Sequence, residues 1–139
     1  MAPTGFDPAL DATIACTQHA PSEARRAVGE LAPDIDTALV RDVQLLVSEL
    51  VTNSVRHSGS SQPIRLRVWR RRGGLKVEIS DGGDGFEAAS GAAEDESEGG
   101  RGLMILAALA ERWGVSYDTC ASIWFELAPR PVSRSARAG

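Results

Sequence analysis

The chain is short of the features that small proteins use in place of a core. It has only two cysteines in 139 residues, Cys16 and Cys120, set far apart. Two buried or half-buried free thiols are therefore expected rather than a disulfide, and no group has metal-ligand spacing. Aromatic residues are scarce at 5%, and His19 and His57 are the only histidines. No apolar run approaches the roughly 20 residues of a membrane span. The start of the chain lacks a basic region followed by an apolar one, so no signal peptide is expected and the chain is read as cytoplasmic. Charge is not concentrated in one sign: the net value is -4 and the pI about 5.2, which argues against general nucleic-acid or anionic-membrane binding. No internal repeat is found, and no Gly-Lys-Ser/Thr completes a Walker loop, which excludes P-loop chemistry.

What remains is an ordinary globular composition, 42% hydrophobic and 24% charged, at a length that suits one domain with its own core. Residues 6–127 are assigned to that domain, with flexible tails at 1–5 and 128–139. A short strand is expected near 13–16. Ser22, after Pro21, is read as the N-cap of a first helix ending near Pro33. Asp34 or Asp36 opens a longer second helix that stops at Gly59. Its Leu39, Val43, Leu46 and Leu50 share one face, widened by Val40, Val47, Val51 and Val55. Asp42, Glu49, Asn53 and His57 border that face, while Arg41, Ser48 and Thr52 take the solvent side.

Alternation at 64–69 and 75–80 about Arg72-Gly73-Gly74 predicts a β-hairpin, with Asp81 at the end of its second strand. Arg65, Arg67, Arg70, Arg71 and Arg72 coat a solvent-facing strand edge and its turn, or offer a docking surface to an acidic partner. The small, acidic, glycine-bearing stretch 87–100 has no periodicity and reads as a mobile loop. Leu103, Ile105, Leu106, Leu109 and Ala110 form a third helix ended near Gly114, and 115–118 with 122–127 form a last hairpin.

Three segments carry chemistry. In Glu49-Leu50-Val51-Thr52-Asn53, a carboxylate and an amide stand one helical turn apart and project to one point. A carboxylate activates a hydroxyl nucleophile within hydrogen-bond reach, and an amide oxygen suits Mg²⁺, which keeps waters and phosphates for the rest of its shell. Singly, each is more often a surface glutamate or a locally bonded asparagine. In Asp81-Gly82-Gly83-Asp84-Gly85, the glycines permit close approach and Asp81 offers an acceptor to an exocyclic amine such as adenine N6. Gly99-Gly100-Arg101-Gly102-Leu103 begins a helix, where free N–H groups and the positive dipole end favour phosphate.

Taken in this order, the residues resemble the gyrase, heat-shock chaperone, histidine-kinase and mismatch-repair ATPase superfamily. Within it they are most similar to the bacterial anti-sigma-factor serine/threonine kinases. Leu46-Val47-Ser48-Glu49-Leu50-Val51-Thr52-Asn53-Ser54-Val55-Arg56-His57 matches that family's N box, Asp81-x-Gly83-x-Gly85 its first glycine box, and Gly100-Arg101-Gly102-Leu103 its second. The resemblance implies a two-layer α/β sandwich, a mixed and mostly antiparallel sheet covered on one face by about three helices. It implies ATP and Mg²⁺ as cofactors, Glu49 as general base, Asn53 as metal ligand and Asp81 as adenine acceptor. Gly83, Gly85, Gly100, Arg101, Gly102 and Leu103 would shape the nucleotide pocket, with Ser122 in place of a threonine in the last strand. Its partners would be a sigma factor and a small anti-anti-sigma protein phosphorylated on Ser or Thr, with a homodimer formed through the N-terminal part. The family's glycine before that threonine is Cys120 here, and the loop 87–100, which would serve as the lid over the phosphates, is short and acidic. Those departures motivate an alternative: a catalytically weak or inactive ATP-binding module that regulates a partner by nucleotide-dependent binding.

Overall fold

A computed structural model of the chain describes residues 5–32, 34–57, 62–81, 99–116 and 122–129. In chain order the elements are β1 (Asp7–Ile14), α1 (Ala20–Gly29), α2 (Thr37–His57), β2 (Ile64–Arg71), β3 (Gly74–Ser80), α3 (Gly99–Leu109), β4 (Arg112–Ser116) and β5 (Ser122–Leu127). The strands form one sheet in the order β1-β2-β3-β5-β4. Every pairing among the described strands is antiparallel, so the expected mixed sheet is here an antiparallel one.

The strict alternation of the central strands decides which face carries the helices. Ile64, Leu66 and Val68 of β2 lie in register with Val77, Ile79 and their neighbours on β3, and those with Ile123, Phe125 and Leu127 of β5. All are buried in one core with Ala24 and Val28 of α1, Val43, Leu46, Val47 and Leu50 of α2, and Leu106 of α3. Residues of opposite parity, Arg65, Arg67, Lys76, Glu78 and Trp124, stand on the face without helices. There Arg67 pairs with Glu78, Arg112 donates to Glu126 at 2.9 Å, and Lys76 lies 4.8 Å from the Trp124 ring centre. The arginine cluster foreseen at 65–72 thus spends three members on this face and its rim: Arg65 on Asp11, Arg67 on Glu78, and Arg71 4.0 Å from Glu126. The result is a two-layer α/β sandwich.

Several boundaries differ from the sequence expectation. β1 begins at Asp7 and ends before Cys16, because its pairing with β2 supplies what Pro8, Asp7 and Asp11 do not advertise locally. α1 begins at Ala20 with His19 at its cap position and Pro21 in its first turn. Ser22, expected to be the cap, instead donates its hydroxyl to the His19 carbonyl at 3.1 Å. Asp36 does cap α2, accepting the Leu39 N–H at 3.1 Å. On the side of α2 expected to face solvent, Ser48 and Thr52 are half-buried, and the Thr52 hydroxyl donates to the Ser48 carbonyl.

α3 ends at Leu109 rather than near Gly114, which lies inside β4. Gly114 serves packing there: a Cβ at this position would sit 2.9–3.0 Å from three atoms of the Trp124 indole. Gly73, with φ of 84°, makes the β2–β3 turn as its sequence foretold. Cys16 is half-buried and free. The expected loop at 87–100 lies outside the described residues except for Gly99 and Gly100, which are helical, and Cys120 and most of the two tails also lie outside them. No helix among the described residues is long and apolar enough to cross a membrane.

Candidate functional site

Connectivity brings the sequence-selected segments to one end of the sheet. The start of α2 and the β2–β3 turn meet, since Asp36 and Leu39 line one cavity with Gly73, Gly74 and Leu75. From Leu39 to Asn53 the helix advances roughly 21 Å at 1.5 Å per residue. From Leu75 to Asp81 the strand advances roughly 20 Å at 3.3 Å per residue. Since α2 packs on β3, Asn53 and Asp81 arrive at the same level.

The third segment follows from strand direction. β5 runs antiparallel to β3, which places Ser122 at the Asp81 end and Leu127 at the turn end. β4 pairs Arg112 with Glu126, so it begins at the turn end. α3 joins β4 through Ala110 and Glu111 alone, so its C-terminus lies there and its N-terminus, Gly99 and Gly100, points to the Asp81 end.

The side of α2 that faces α3 follows from its other contacts. At roughly 100° per residue, Gln44 and Glu49 flank the apolar face on opposite borders. Gln44 donates to the Arg25 carbonyl at 2.9 Å, so α1 occupies its border. α3, which also packs on α2, is left with the border carrying Glu49 and Asn53. Each four-residue step rotates this stripe about 40° toward the centre of the apolar face. Glu49 is accordingly half-buried and Asn53 only 7% exposed. Asp81 continues the core-facing parity of Val77 and Ile79 and is 1% exposed. Of Gly100, Arg101, Gly102 and Leu103, in the first turns of α3, only the backbone is described. Gly83 and Gly85 lie outside the described residues, as does the side chain of His57.

A buried carboxylate at a strand end, an amide and a carboxylate on the facing helix, and a helix N-terminus thus lie at one end of the sheet, a set suited to a nucleotide. The sequence matches the family model of the histidine kinase-like ATPase domain over residues 14–125. The chain belongs to that family. The match runs from Ile14, the last residue of β1, to Phe125 in β5 and so spans α1, α2, β2, β3, α3 and β4 whole. A search of the curated proteins found no match.

The ATPase domain's own residues fit the nucleotide its family implies. A bound nucleotide would meet the enclosed Asp81 carboxylate with its exocyclic amine and the N-terminus of α3 with its phosphates. Among the described residues no group of three His, Cys, Asp or Glu is arranged to hold a metal. Mg²⁺ bound chiefly through phosphates needs few protein oxygens, and the Asn53 amide would supply one.

Two features went unread in the sequence. Ser54 is 1% exposed, and its hydroxyl has no hydrogen-bond partner among the described residues. Its signal was positional: it falls in the centre of the apolar face, four residues after Leu50 and seven after Val47. The second feature is the parity of Ser122. The register sets it opposite Ser80 and Ser116, on the face of Glu78 and Trp124, whereas Asp81 has the parity of the helix-covered face. The sheet therefore brings Ser122 to the right end but not to the Asp81 side.

Proposed function

We propose that this ATPase domain is a protein serine/threonine kinase acting as an anti-sigma regulator, with a small anti-anti-sigma protein as its phosphate acceptor. The observation that carries the reading is the pair Glu49 and Asn53 on the α3 border of α2, level with the buried Asp81. Bound ATP with Mg²⁺ supplies the γ-phosphoryl group and leaves as ADP. Asp81 holds the base end of the site, fixing which way the phosphates run. Asn53 would hold the metal through its amide oxygen, and the α3 N–H groups would take up phosphate charge. Glu49, half-buried and one turn before Asn53, accepts the proton of the incoming Ser or Thr hydroxyl as that oxygen bonds to phosphorus. The sigma-factor and antagonist partners rest on the resemblance of the N box and glycine boxes.

One observation favours the alternative, an ATP-binding module that is weak or silent in transfer. Ser122, expected to stand in for a threonine of the pocket wall, has the parity of the opposite face. A transfer assay separates the two readings. A partner captured on the protein in Mg²⁺-ATP is incubated with γ-labelled ATP, and phosphoserine and phosphothreonine are counted. The kinase reading expects transfer by wild type and a loss of about 10²- to 10⁴-fold in Glu49→Gln with ATP affinity kept. Equal transfer by the variant would remove Glu49 from its role, and ATP binding without any transfer would leave the module.

A further inference from the structure

Three hydroxyl side chains lie in the body of α2, those of Ser48, Thr52 and Ser54. Two of them bond back to their own helix: Ser48 donates to the Leu45 carbonyl at 3.1 Å and Thr52 to the Ser48 carbonyl at 2.6 Å. That is the ordinary way for a helical hydroxyl to find a partner. Ser54 does not take it. The residue is 1% exposed, and its hydroxyl has no hydrogen-bond partner on the helix or elsewhere among the described residues. A buried polar group left in that condition destabilises the fold and calls for a physical reason.

Its place in the fold supplies one. Ser54 follows Asn53 directly and falls in the centre of the apolar face of α2, so it is turned toward the sheet at the level where β3 ends in Asp81. Asp81 has the parity of the helix-covered face and is likewise 1% exposed. A hydroxyl and a carboxylate therefore project from the two layers into one part of the interior. Their chemistries are complementary: a carboxylate only accepts hydrogen bonds, whereas a hydroxyl can donate one. Adenine carries an amine that donates, and the ring nitrogens on either side of it, N1 and N7, accept.

We propose that Ser54 is a second base-reading residue, whose hydroxyl donates to a ring nitrogen beside the exocyclic amine, N1 or N7, directly or through one bound water. This role rests on the nucleotide reading of the site and adds to it a donor that neither Asp81 nor Asn53 accounts for. The hydroxyl has no bond to give up when the base arrives, so it is ready for the ligand in the nucleotide-free chain. With Asp81 it makes a pair that selects a 6-aminopurine: a donor for the ring nitrogen and an acceptor for the amine. Guanine presents a carbonyl oxygen where adenine has its amine, setting acceptor against acceptor at Asp81. A site that hydrogen-bonds its substrate in this way discriminates strongly against an analogue that lacks the matching group.

The test is calorimetric titration of the full chain and of Ser54→Ala with Mg²⁺-ATP and with its 1-deaza and 7-deaza analogues, in which a C–H replaces the ring nitrogen. The melting temperature of each protein without nucleotide is read alongside. Loss of a neutral hydrogen bond weakens ATP binding to Ser54→Ala about 2- to 12-fold. One of the two analogues binds the wild type more weakly by a similar factor, and binds the variant as well as ATP does. The nucleotide-free variant melts a few degrees higher, because it no longer buries an unpaired hydroxyl. ATP affinity equal to that of the wild type overturns the role of Ser54, as does a preference for ATP over the analogues that survives unchanged in the variant. A lower melting temperature with ATP affinity kept assigns the hydroxyl to the fold instead. If Asp81→Asn weakens ATP binding and Ser54→Ala does not, this role alone fails; a wild type that binds no ATP takes the site reading down with it.

Discussion

Replacing Asp81 by asparagine keeps the shape of a side chain that is 1% exposed and removes its charge. In the role proposed for it the carboxylate accepts a hydrogen bond from the exocyclic amine of the base, and a hydrogen bond to a charged group contributes about 1.5–3 kcal/mol. At 1.4 kcal/mol per tenfold, its loss weakens ATP binding about 12- to 140-fold. Asparagine keeps one carbonyl oxygen; turned toward the base, that oxygen holds the loss near the lower end, and turned away it sets an NH₂ group against another donor. Titration calorimetry of wild type and Asp81→Asn with Mg²⁺-ATP reads the difference directly. The variant's melting temperature without nucleotide should stay within about 5 °C of wild type, which separates lost recognition from lost folding. An affinity within about twofold of wild type would refute the role given to Asp81.

Two predictions concern the scaffold. Gly114→Ala forces the Trp124 indole, already covered by Lys76, away from an atom it would meet at 2.9 Å, and should cost about 1–3 kcal/mol in urea unfolding; a stability gain would mean the ring has room. The Asp11 carboxyl is held below its usual range by its hydrogen bond to Arg65. Its contribution to stability is present above the unfolded value near 3.9 and is lost as pH falls through the lower folded value. Both side chains are about half exposed, at 52% and 56%, so the effect is small and fades in salt. Asp11→Asn should therefore lower stability slightly at neutral pH and by progressively less below about pH 4, where the wild type loses the same contribution; an equal loss at every pH would point to packing instead.

The central strands and α2 were legible because their patterns are local. Ile64, Leu66 and Val68, then Leu75, Val77 and Ile79, alternate without interruption, and the apolar face of α2 runs its whole length. β1 was not, since Pro8 and two aspartates read as loop until β2 is beside them. Gly114 reads as a helix stop, and only the Trp124 ring across the strand pair explains it as a strand residue. The site divides along the same line. The placement of Glu49, Asn53 and Asp81 could be foreseen because one helix or one strand end presents each. The parity of Ser122 could not, because it is set by register with β3 and β4, which depends on every pair along the strands. Ser54 was passed over because a lone serine in an apolar stripe looks like a tolerated small residue.

The most direct test of the account is calorimetric titration of the wild-type chain with ATP, with and without Mg²⁺. A site built from Asp81, Asn53 and the N-terminus of α3 predicts saturable one-to-one binding that is strengthened by Mg²⁺. Absence of binding at millimolar ATP in either condition would contradict it, and the cleft between α2 and α3 would then be a feature of the fold with no nucleotide in it.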